Sequence, residues 1–512
     1  MSTVVKHLLD ENGIRYDIQT KLGGGGQGAT YTVSDPAILI KRPFAGTSYE
    51  DYSAAVHYVR SLPIPDYVHI ARPVYLLYPV PGYVMRFMEN MTDLNSLVCD
   101  FQDAPDNYKI PYYIKTGGMR RRLRILKGLA EILYQLRERN LVYCDLSYNN
   151  VFISKNVSDS EVWLIDADNL RFSDKESSPF GSPECKAPEV CFGHQNTVFS
   201  DIYSFALISY LFLTGQKPFC GRIINLNLNY NEEDKTEDAS SEDDWGVEDD
   251  WGEEVDDWGE DDGSNINVAS HKSETRDDGR RKGWSVYECA EAGLYPWIDD
   301  PDNRDNCCEN VGIRHAVIND ELFACFHQTF CYIGRKQPET RPSPAKWYHA
   351  FLRAEKQTVD CTCGWSFYYQ NRRCPLCGKS LPLLFVAVTY DIRKDSEGNE
   401  KRIERNRHIV IPGQLTEICA SDLCLLPTNK LIEHDTKFFT LFQGNEKRAE
   451  WTLVQNAELT CEMSEGENTY KSALGTKLNT ISLERLQIRI PILGGCTRMI
   501  EFQCIPPQER QG

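Results

Sequence analysis

Two acidic motifs in the first third of the chain carry residue types that suit phosphoryl transfer. The first is Asp145-Leu-Ser-Tyr-Asn-Asn150, and the second is Asp166-Ala-Asp168, which follows shortly after it. Both motifs are set in short strand–loop units. Two carboxylates and an amide suit one catalytic base and two magnesium ligands. The motifs therefore predict a phosphotransferase, provided that its other parts occur in order.

A glycine-rich stretch upstream has the spacing of a phosphate-binding loop. Gly23, Gly25 and Gly28 satisfy G-x-G-x-x-G, and the flanking residues are typical of a β-hairpin. Glycines let backbone amides approach phosphates without a β-carbon in the way. Alone, the four consecutive glycines are equally compatible with a flexible turn. The next apolar run ends in Lys41, and its spacing from the glycines favours a phosphate ligand over a solvated lysine.

Three more motifs follow in order. They are Gly181-Ser-Pro-Glu-Cys-Lys-Ala-Pro-Glu189, Ser200-Asp-Ile-Tyr-Ser-Phe205 and Arg341-Pro-Ser. With this ordered set, the chain resembles the eukaryotic-like protein kinase superfamily over roughly residues 15–355. The resemblance implies a bilobal kinase-like domain over 1–355, with an N-lobe at about 1–88 and a C-lobe at about 89–355.

The resemblance also implies a nucleotide site. Gly23, Gly25 and Gly28 would cover the phosphates of ATP, and Lys41 would hold the α and β phosphates. The adenine-binding hinge would be residues 85–88, with Met85, Phe87 and Met88.

The same resemblance implies the catalytic and metal-binding roles. Asp145 would orient and deprotonate the acceptor hydroxyl. Asn150 and Asp166 would hold the two Mg²⁺ (or Mn²⁺) ions, whose charge offsets that of the transferring phosphoryl group. Glu189 and Arg341 resemble the buried ion pair of the family, which is architectural.

Three positions depart from the family pattern. Tyr143-Cys144 replaces the histidine–arginine pair before the catalytic aspartate, which removes the usual clamp on a phosphorylated activation loop. Asp168 replaces the glycine of the metal-binding triplet. The helix glutamate that should pair with Lys41 is unassigned, because Glu50 lies only nine residues beyond the lysine.

Two function classes follow from these motifs. Since Lys41, Asp145, Asn150 and Asp166 are all present, we favour an active protein kinase that phosphorylates Ser/Thr hydroxyls of protein substrates, including its own. The serine/threonine assignment rests on the family, because Ser147 stands where many such kinases have a lysine. The alternative is a pseudokinase scaffold that binds nucleotide and recruits partners through its other segments.

The negative charge of the chain is concentrated in one segment. The chain has 512 residues and a formal net charge of −19, and residues 232–262 contain 18 acidic residues against one lysine. Asp-Asp-Trp-Gly occurs there three times, at 243–246, 249–252 and 256–259. Such a composition predicts a disordered insert over 231–275. It is either a tolerated surface insertion or a Trp-containing docking or autoinhibitory segment, and no basic nucleic-acid surface is evident.

Four of the 19 cysteines have the spacing of metal ligands. Cys361-Thr-Cys363 and Cys374-Pro-Leu-Cys377 are two close pairs separated by an aromatic stretch. A hairpin would bring the four thiolates around one tetrahedral Zn²⁺. We therefore predict a structural zinc ribbon over 358–381, in preference to a loop with free thiols. A kinase domain followed by such a ribbon resembles certain bacterial eukaryotic-like kinases.

The rest of the chain predicts a β-rich domain of unknown function over 384–512. Candidate strands are 384–390, 408–411, 437–442, 450–454, 486–490 and 499–505. Their spacing suggests a β-sandwich, so the predicted fold class is multidomain α+β. The alternative is a phosphopeptide-binding forkhead-associated domain, with 407–413 as its early strand and loop. Its glycine–arginine and serine-x-x-histidine signatures are not evident, so an interaction or packing module is favoured.

Two further expectations concern location and the core. The best apolar stretch, 202–213, is about half of the ~20 residues needed to span a bilayer, and the N-terminus lacks a signal-peptide pattern. We therefore expect a cytoplasmic protein with no membrane partner. Residues 119–140 predict a core helix with arginines on its outer face. Its core positions are Leu123, Leu126, Ala130, Leu133 and Leu136.

Overall fold

The computed structural model describes most of the chain. The described residues are 7–25, 28–176, 178–226, 284–394, 397–423, 436–445, 448–480, 482–492 and 496–507. The predicted acidic insert at 231–275 and the tip of the glycine-rich turn lie outside them.

Six antiparallel strands form a closed barrel in the first lobe. They are β1 (His7–Asp10), β2 (Arg15–Gly25), β3 (Gly28–Val33), β4 (Ile38–Arg42), β5 (Tyr75–Tyr78) and β6 (Tyr83–Arg86). The order around the barrel is β1-β2-β3-β4-β6-β5. One helix, α1 (Tyr49–Ser61), begins after the N-cap Ser48 and buries Val56 and Val59. Val56 packs against Leu76 and Tyr83, so the helix lies beside the strand that leads out of the lobe.

The second lobe is mainly helical. Its described helices include α2 (Leu94–Asp103), α3 (Asp106–Lys115), α4 (Gly118–Arg137), α5 (Pro188–Cys191), α6 (Val198–Thr214), α7 (Val286–Glu291), α8 (Arg314–Val317), α9 (Asp320–Phe330), α10 (Tyr332–Lys336) and α11 (Pro344–Lys356). Its short strands are β7 (Met91–Asp93), β8 (Leu141–Val142), β9 (Val151–Ser154), β10 (Val162–Leu164) and β11 (Arg171–Phe172). Strands β10, β9 and β7 form one sheet, and β8 pairs with β11. These ladders frame residues 143–150 and 165–170, which carry the predicted chemistry.

Helices α4 and α6 form the centre of this lobe. The five predicted core positions of α4 are all buried, as their spacing predicts. Helix α6 is predominantly apolar and is buried from Ser200 to Thr214, as expected for a helix in the core of a large domain. It ends at Gly215, whose φ is 72°. A β-carbon at Gly215 would lie 2.0 Å from the ring of Phe101, so only glycine fits there.

The prediction that the arginines of α4 face outward is wrong for two of them. Arg121 and Arg122 are buried. The Arg122 guanidinium donates to the carbonyl oxygens of Phe212 and Tyr113, at 3.2 Å each, and lies 3.8 Å from the centre of the Tyr113 ring. Arg121 donates to the carbonyl oxygen of Asp159 at 2.9 Å. Backbone carbonyls satisfy these guanidinium donors, which makes their burial tolerable.

The cysteine-rich hairpin packs on the second lobe. It consists of β12 (Thr358–Asp360) and β13 (Ser366–Tyr368), which form an antiparallel pair, followed by a 3-10 turn (Tyr369–Asn371). The ring of Trp365 lies 5.4 Å from that of Tyr113. Arg120 of α4 donates to the carbonyl oxygen of Thr358 and to the carboxylate of Asp360, at 2.6 Å each. The hairpin therefore continues the core of the helical lobe.

Ten strands follow. They are β14 (Leu384–Lys394), β15 (Glu400–Val410), β16 (Thr416–Cys419), β17 (Lys437–Asn445), β18 (Arg448–Gln455), β19 (Cys461–Glu465), β20 (Asn468–Ser472), β21 (Lys477–Thr480), β22 (Leu486–Ile492) and β23 (Cys496–Ile505). One sheet has the order β15-β14-β23-β22-β19-β20, and the other has the order β16-β17-β18-β21. Residues such as Val410, Phe439 and Ile500 join both sheets in one apolar core.

Polar contacts attach these strands to the rest of the chain. The buried Asp422 carboxylate lies 3.1 Å from Lys356 Nζ at the end of α11, and 3.1 Å from His408 Nδ1. Arg407, the first residue of the forkhead-like candidate segment, donates to the Tyr369 hydroxyl at 2.8 Å and pairs with Glu404. In this structure Arg407 therefore takes part in packing against the cysteine-rich hairpin.

The lengths and hydropathy of the helices bear on the expectation about membranes. Among the residues that the structure describes, no helix is both long enough and apolar enough to cross a bilayer.

Candidate active site

Lys41 is held in the middle of the first lobe and reaches the second. Strand β4 lies between β3 and β6, and the buried Lys41 ammonium contacts the Asp166 carboxylate and lies 2.7 Å from Asp168 Oδ2. Burial by itself would lower the pKa of Lys41, but the two carboxylates outweigh it, and the pKa lies above its ordinary value. The lysine therefore stays charged and joins the two lobes.

The segment after β10 has a constrained backbone. Asp166 has φ 61° and ψ 63°, and it precedes a 3-10 turn at Ala167–Asn169. A residue other than glycine is uncommon at positive φ, and such conformations concentrate at functional sites. Burial and the nearby Asp168 carboxylate raise the pKa of Asp166, while Lys41 opposes the rise. The turn places two carboxylates at the floor of the cleft between the lobes.

Asp145 lies at the centre of a small hydrogen-bond network. The Asn150 amide donates to Asp145 Oδ2 at 3.0 Å. Ser182 donates to Asp145 Oδ1 through both its backbone N–H and its hydroxyl, at 3.1 Å each. Burial raises the pKa of Asp145, and the bonds from Ser182 and Asn150 limit the rise. Both carboxylate oxygens are thus oriented, and one of them already accepts a hydroxyl.

A buried carboxylate holds the loop that carries Asp145. Asp201 of α6 accepts the backbone N–H of Tyr143 at 2.7 Å and that of Cys144 at 3.0 Å. Cys144 has φ 76°, so these bonds stabilise a strained backbone. Burial raises the pKa of Asp201 to about 7. The Asn196 amide donates to the carbonyl oxygens of Cys144 and Phe180, at 3.1 and 2.9 Å, and ties this loop to the segment that carries Ser182.

The predicted glycine hairpin is formed by β2 and β3. Gly23 pairs with Thr30, and Gly25 pairs with Gly28. Gly28 has φ 149°, and a β-carbon there would lie 2.1 Å from the carbonyl oxygen of Arg42. Close packing between strands therefore requires glycine at this position. A β-carbon at Gly23 would meet nothing within 4 Å, so the hairpin is open at that point.

The predicted adenine hinge begins in β6, which pairs with β4 on the side opposite to β3. Met85 lies in β6 opposite Leu39, and the Phe87 N–H donates to the carbonyl oxygen of Ala37 at 2.8 Å. Met88 follows directly. Residues 85–88 thus connect the lobes on the side of Lys41, and their contact with adenine stays a prediction.

Glu50 does not pair with Lys41. It lies in the first turn of α1, its side chain is exposed, and its carboxylate accepts the Ser48 hydroxyl at 3.2 Å. It is the only glutamate in that helix. Lys41 instead pairs with Asp168, which takes the place of the family glycine. The carboxylate beside the lysine therefore comes from the turn after β10 and not from α1.

Comparison with known proteins identifies this part of the molecule. The family model described as protein kinase domain matches residues 97–260, a segment that contains Asp145, Asn150 and Asp166. Over these residues the chain is similar to the protein kinase domain family. The kinase domain thus carries its acidic groups within the matched segment, whereas Lys41 and the glycine hairpin precede it.

Several curated relatives are protein kinases. Serine/threonine-protein kinase pkn2 of Myxococcus xanthus is 26% identical over 221 residues, which is 40% of this chain and 25% of that protein. Serine/threonine-protein kinase 17A of Oryctolagus cuniculus is 25% identical over 22% of this chain and 31% of its own length. Protein kinase C delta type of Homo sapiens is 29% identical over 25% of this chain and 21% of its own length. The chain therefore matches less than a third of each relative.

The kinase domain also has the ion pair that the family resemblance implies. Arg341 donates to both oxygens of the Glu189 carboxylate, at 2.7 and 2.8 Å, and to the carbonyl oxygen of Phe199 at 2.9 Å. Arg341 is buried. A bidentate pair with an additional backbone bond satisfies the charge and most of the donors. This pair fixes the end of the segment 181–189, which carries Ser182, to α6 and away from the cleft.

A second candidate site lies beyond the kinase domain. The Sγ atoms of Cys361 and Cys377 are 3.5 Å apart, and those of Cys363 and Cys374 are 3.7 Å apart. All four lie within 4.8 Å of one another. Four thiolates around Zn²⁺ at ~2.3 Å would be about 3.8 Å apart. The spacing fits one metal ion.

The sequence did not predict the contacts that three residues of the kinase domain make around Asp145. These residues are Ser182, Asp201 and Asn196. Ser182 was noted only as part of the Gly181–Glu189 motif, although it alone contacts Asp145 among the described residues of its segment. Asp201 was noted only as part of a motif, and Asn196 was not noted. Asp201 and Asn196 bind backbone groups of Tyr143 and Cys144, and Ser182 binds the Asp145 carboxylate. Each of these contacts spans 37 or more residues of chain, so no local pattern revealed them.

Proposed function

We propose that the chain is a protein kinase that uses ATP and Mg²⁺ to phosphorylate serine and threonine hydroxyls of protein substrates, including its own. One observation carries the proposal. Asp145, within reach of the Asn150 amide, accepts a hydrogen bond from the Ser182 hydroxyl. This is the bond that a catalytic carboxylate would make to an acceptor hydroxyl.

Each residue of the cleft then has a chemical task. Asp145 orients the acceptor hydroxyl and receives its proton, and its raised pKa makes it a better base than an exposed aspartate. Lys41 presents a fixed positive charge to the α and β phosphates. Gly23 leaves room for phosphate oxygens beneath the hairpin. Residues 85–88 form the edge against which adenine would lie.

The donor set fits magnesium. Asp166 offers a carboxylate, and Asn150 offers its amide oxygen because its amide nitrogen is engaged by Asp145. Oxygen donors of these types are the ones Mg²⁺ prefers in proteins. When bound, the two ions would neutralise charge on the phosphates. Asn150 and Asp166 would hold them.

The choice of serine and threonine as acceptors rests on the relatives. The names of two of those compared describe serine/threonine kinases. Ser147 is buried where a lysine is common in such kinases, so this chain does not supply that charge. The hydroxyl that Asp145 contacts belongs to a serine, which agrees with an aliphatic acceptor.

Phosphate transfer from labelled ATP tests the proposal. Purified full-length protein is incubated with Mg²⁺ or Mn²⁺ and a generic protein substrate, with Asp166→Ala as the control. We expect incorporation that disappears in the control, with the label on serine and threonine after hydrolysis. Metal-dependent ATP binding without any incorporation would overturn the proposal in favour of the pseudokinase scaffold.

We propose, as a second function, that the four cysteines hold a structural Zn²⁺. Cys361, Cys363, Cys374 and Cys377 supply four sulfur donors, so no position remains for a catalytic water. Metal analysis of the purified chain should find one zinc ion per molecule.

A matched substitution makes the zinc test specific. Cys377→Ser should lose the metal and destabilise the ribbon, whereas Cys99→Ser, at an exposed cysteine of α2, should retain it. Zinc at full occupancy in Cys377→Ser would exclude this site.

A further inference from the structure

We propose that Asp168 is the residue that positions Lys41, in place of a glutamate from helix α1. The inference deepens the proposed kinase function and rests on it. It starts from the departure noted in the sequence, where an aspartate replaces the expected glycine two residues after the metal-binding Asp166.

Both oxygens of the Asp168 carboxylate are engaged by the first lobe. Oδ2 lies 2.7 Å from Lys41 Nζ, and Oδ1 accepts the Tyr83 hydroxyl at 2.8 Å. Tyr83 is fully buried, and burial together with the two carboxylates holds its pKa well above the ordinary value. Tyr83 therefore remains a donor. With one donor on each oxygen, the Asp168 carboxylate is oriented toward the lysine.

Helix α1 presents aromatic and aliphatic groups to the same place. The Tyr52 ring lies nearly parallel to the Tyr83 ring, with 6.4 Å between their centres. Tyr52 and Val56 line one pocket of about 350 Å³ together with Asp168. Neither side chain can neutralise an ammonium. The helix thus braces Tyr83, and the charge that Lys41 requires comes from Asp168.

This arrangement separates two tasks within one short turn. Asp166 and Asp168 both contact Lys41, but only Asp166 is assigned to the metal ion. If Asp166 turns toward a metal ion, Asp168 still holds the ammonium in position for the phosphates. The lysine is therefore positioned by the turn that carries the metal ligand, and rotation of α1 is not needed to bring its carboxylate partner into place.

The first test measures the pKa of Lys41 directly, without phosphate transfer. Labelling of Lys41 by an amine-reactive reagent is followed by mass spectrometry across a pH series in wild type, Asp168→Asn, Tyr83→Phe and Glu50→Gln. Removing the Asp168 charge should lower the pKa of Lys41 and speed its labelling at a given pH, because less negative charge stabilises the ammonium.

The other two variants make this result specific. Tyr83→Phe should shift the labelling profile in the same direction by less, and Glu50→Gln should not shift it. Thermal melting confirms that each variant is folded. A labelling profile of folded Asp168→Asn identical to that of wild type would overturn the proposal.

The second test separates positioning from metal binding. In the kinase assay, Asp168→Asn should raise KM for ATP about 5- to 30-fold, the equivalent of losing 1–2 kcal/mol. The Mg²⁺ concentration that gives half-maximal activity should remain unchanged. A raised Mg²⁺ requirement with unchanged KM would make Asp168 a metal ligand and refute the inference. If the wild type transfers no phosphate, the proposed function fails while the labelling test still decides this one.

Discussion

The two acidic segments of the cleft are held in different ways. The Asp145 loop is held from within the helical lobe, where Asp201 accepts two backbone N–H groups and Asn196 donates to two carbonyl groups. The Asp166–Asp168 turn is held from the other lobe, by the charge of Lys41 and the hydroxyl of Tyr83.

Because the two segments are held by different lobes, substitutions at each should affect different properties of the protein. Bonds inside the helical lobe form when that lobe folds, and they do not depend on where the other lobe lies. Bonds across the cleft depend on the two lobes being close. Substitutions that affect the first set should therefore lower the stability of the fold, and substitutions that affect the second set should act mainly on nucleotide binding.

The largest effect is expected from Asp145→Asn. Removing the proposed base should lower kcat by about 10²- to 10⁴-fold, whereas ATP affinity should stay within about twofold because Lys41, the proposed phosphate ligand, pairs with Asp166 and Asp168 and not with Asp145. Initial rates and equilibrium ATP binding measure the two quantities. A parallel loss of ATP binding would mean that the Asp145 loop and the Asp166–Asp168 turn do not act independently.

Asp201→Ala should give the largest loss of stability. It leaves the N–H groups of Tyr143 and Cys144 buried without an acceptor, which should lower the free energy of unfolding by about 2–4 kcal/mol. Denaturant unfolding measures this, with Asp174→Ala, at an exposed aspartate, as the control. Equal stabilities of the two variants would contradict the anchoring argument.

Ser182→Ala should have a smaller effect and change the pH profile. Losing one hydrogen bond should lower kcat/KM at neutral pH by about 3- to 10-fold. The hydroxyl stabilises the charged form of Asp145 and so lowers its pKa. Without it the pKa rises, and the acid limb of the profile should move to higher pH. Ser178→Ala, at an exposed serine of the same segment, should leave the limb in place, and a shift of Ser182→Ala toward lower pH would refute the assignment.

The smallest effect on stability is expected from Asp168→Asn. Asp166 still pairs with Lys41 in this variant, so the free energy of unfolding should fall by only about 0.5–1 kcal/mol. The same denaturant series measures it. A loss as large as that of Asp201→Ala would remove the distinction between the two segments.

Predictions from the sequence succeeded where a local pattern was sufficient. The α4 core positions follow a helical repeat, and the glycine hairpin follows from its flanking strands. The outward placement of Arg121 and Arg122 failed because helical periodicity says nothing about carbonyl groups from other elements. Strands β16, β19, β20 and β21 were not predicted, since they are short and polar and owe their pairing to neighbouring strands.

By itself, the sequence determined the residue types that can do chemistry and their order along the chain. Lys41, Asp145, Asn150 and Asp166 were predicted as site residues because their chemistry is local to each side chain. The tertiary structure decided which groups meet. Asp168 and Lys41 are 127 residues apart, and Ser182 and Asp145 are 37 apart. Such contacts form only when the lobes pack, so the partner of the lysine and the bonds around the base were visible only in the fold.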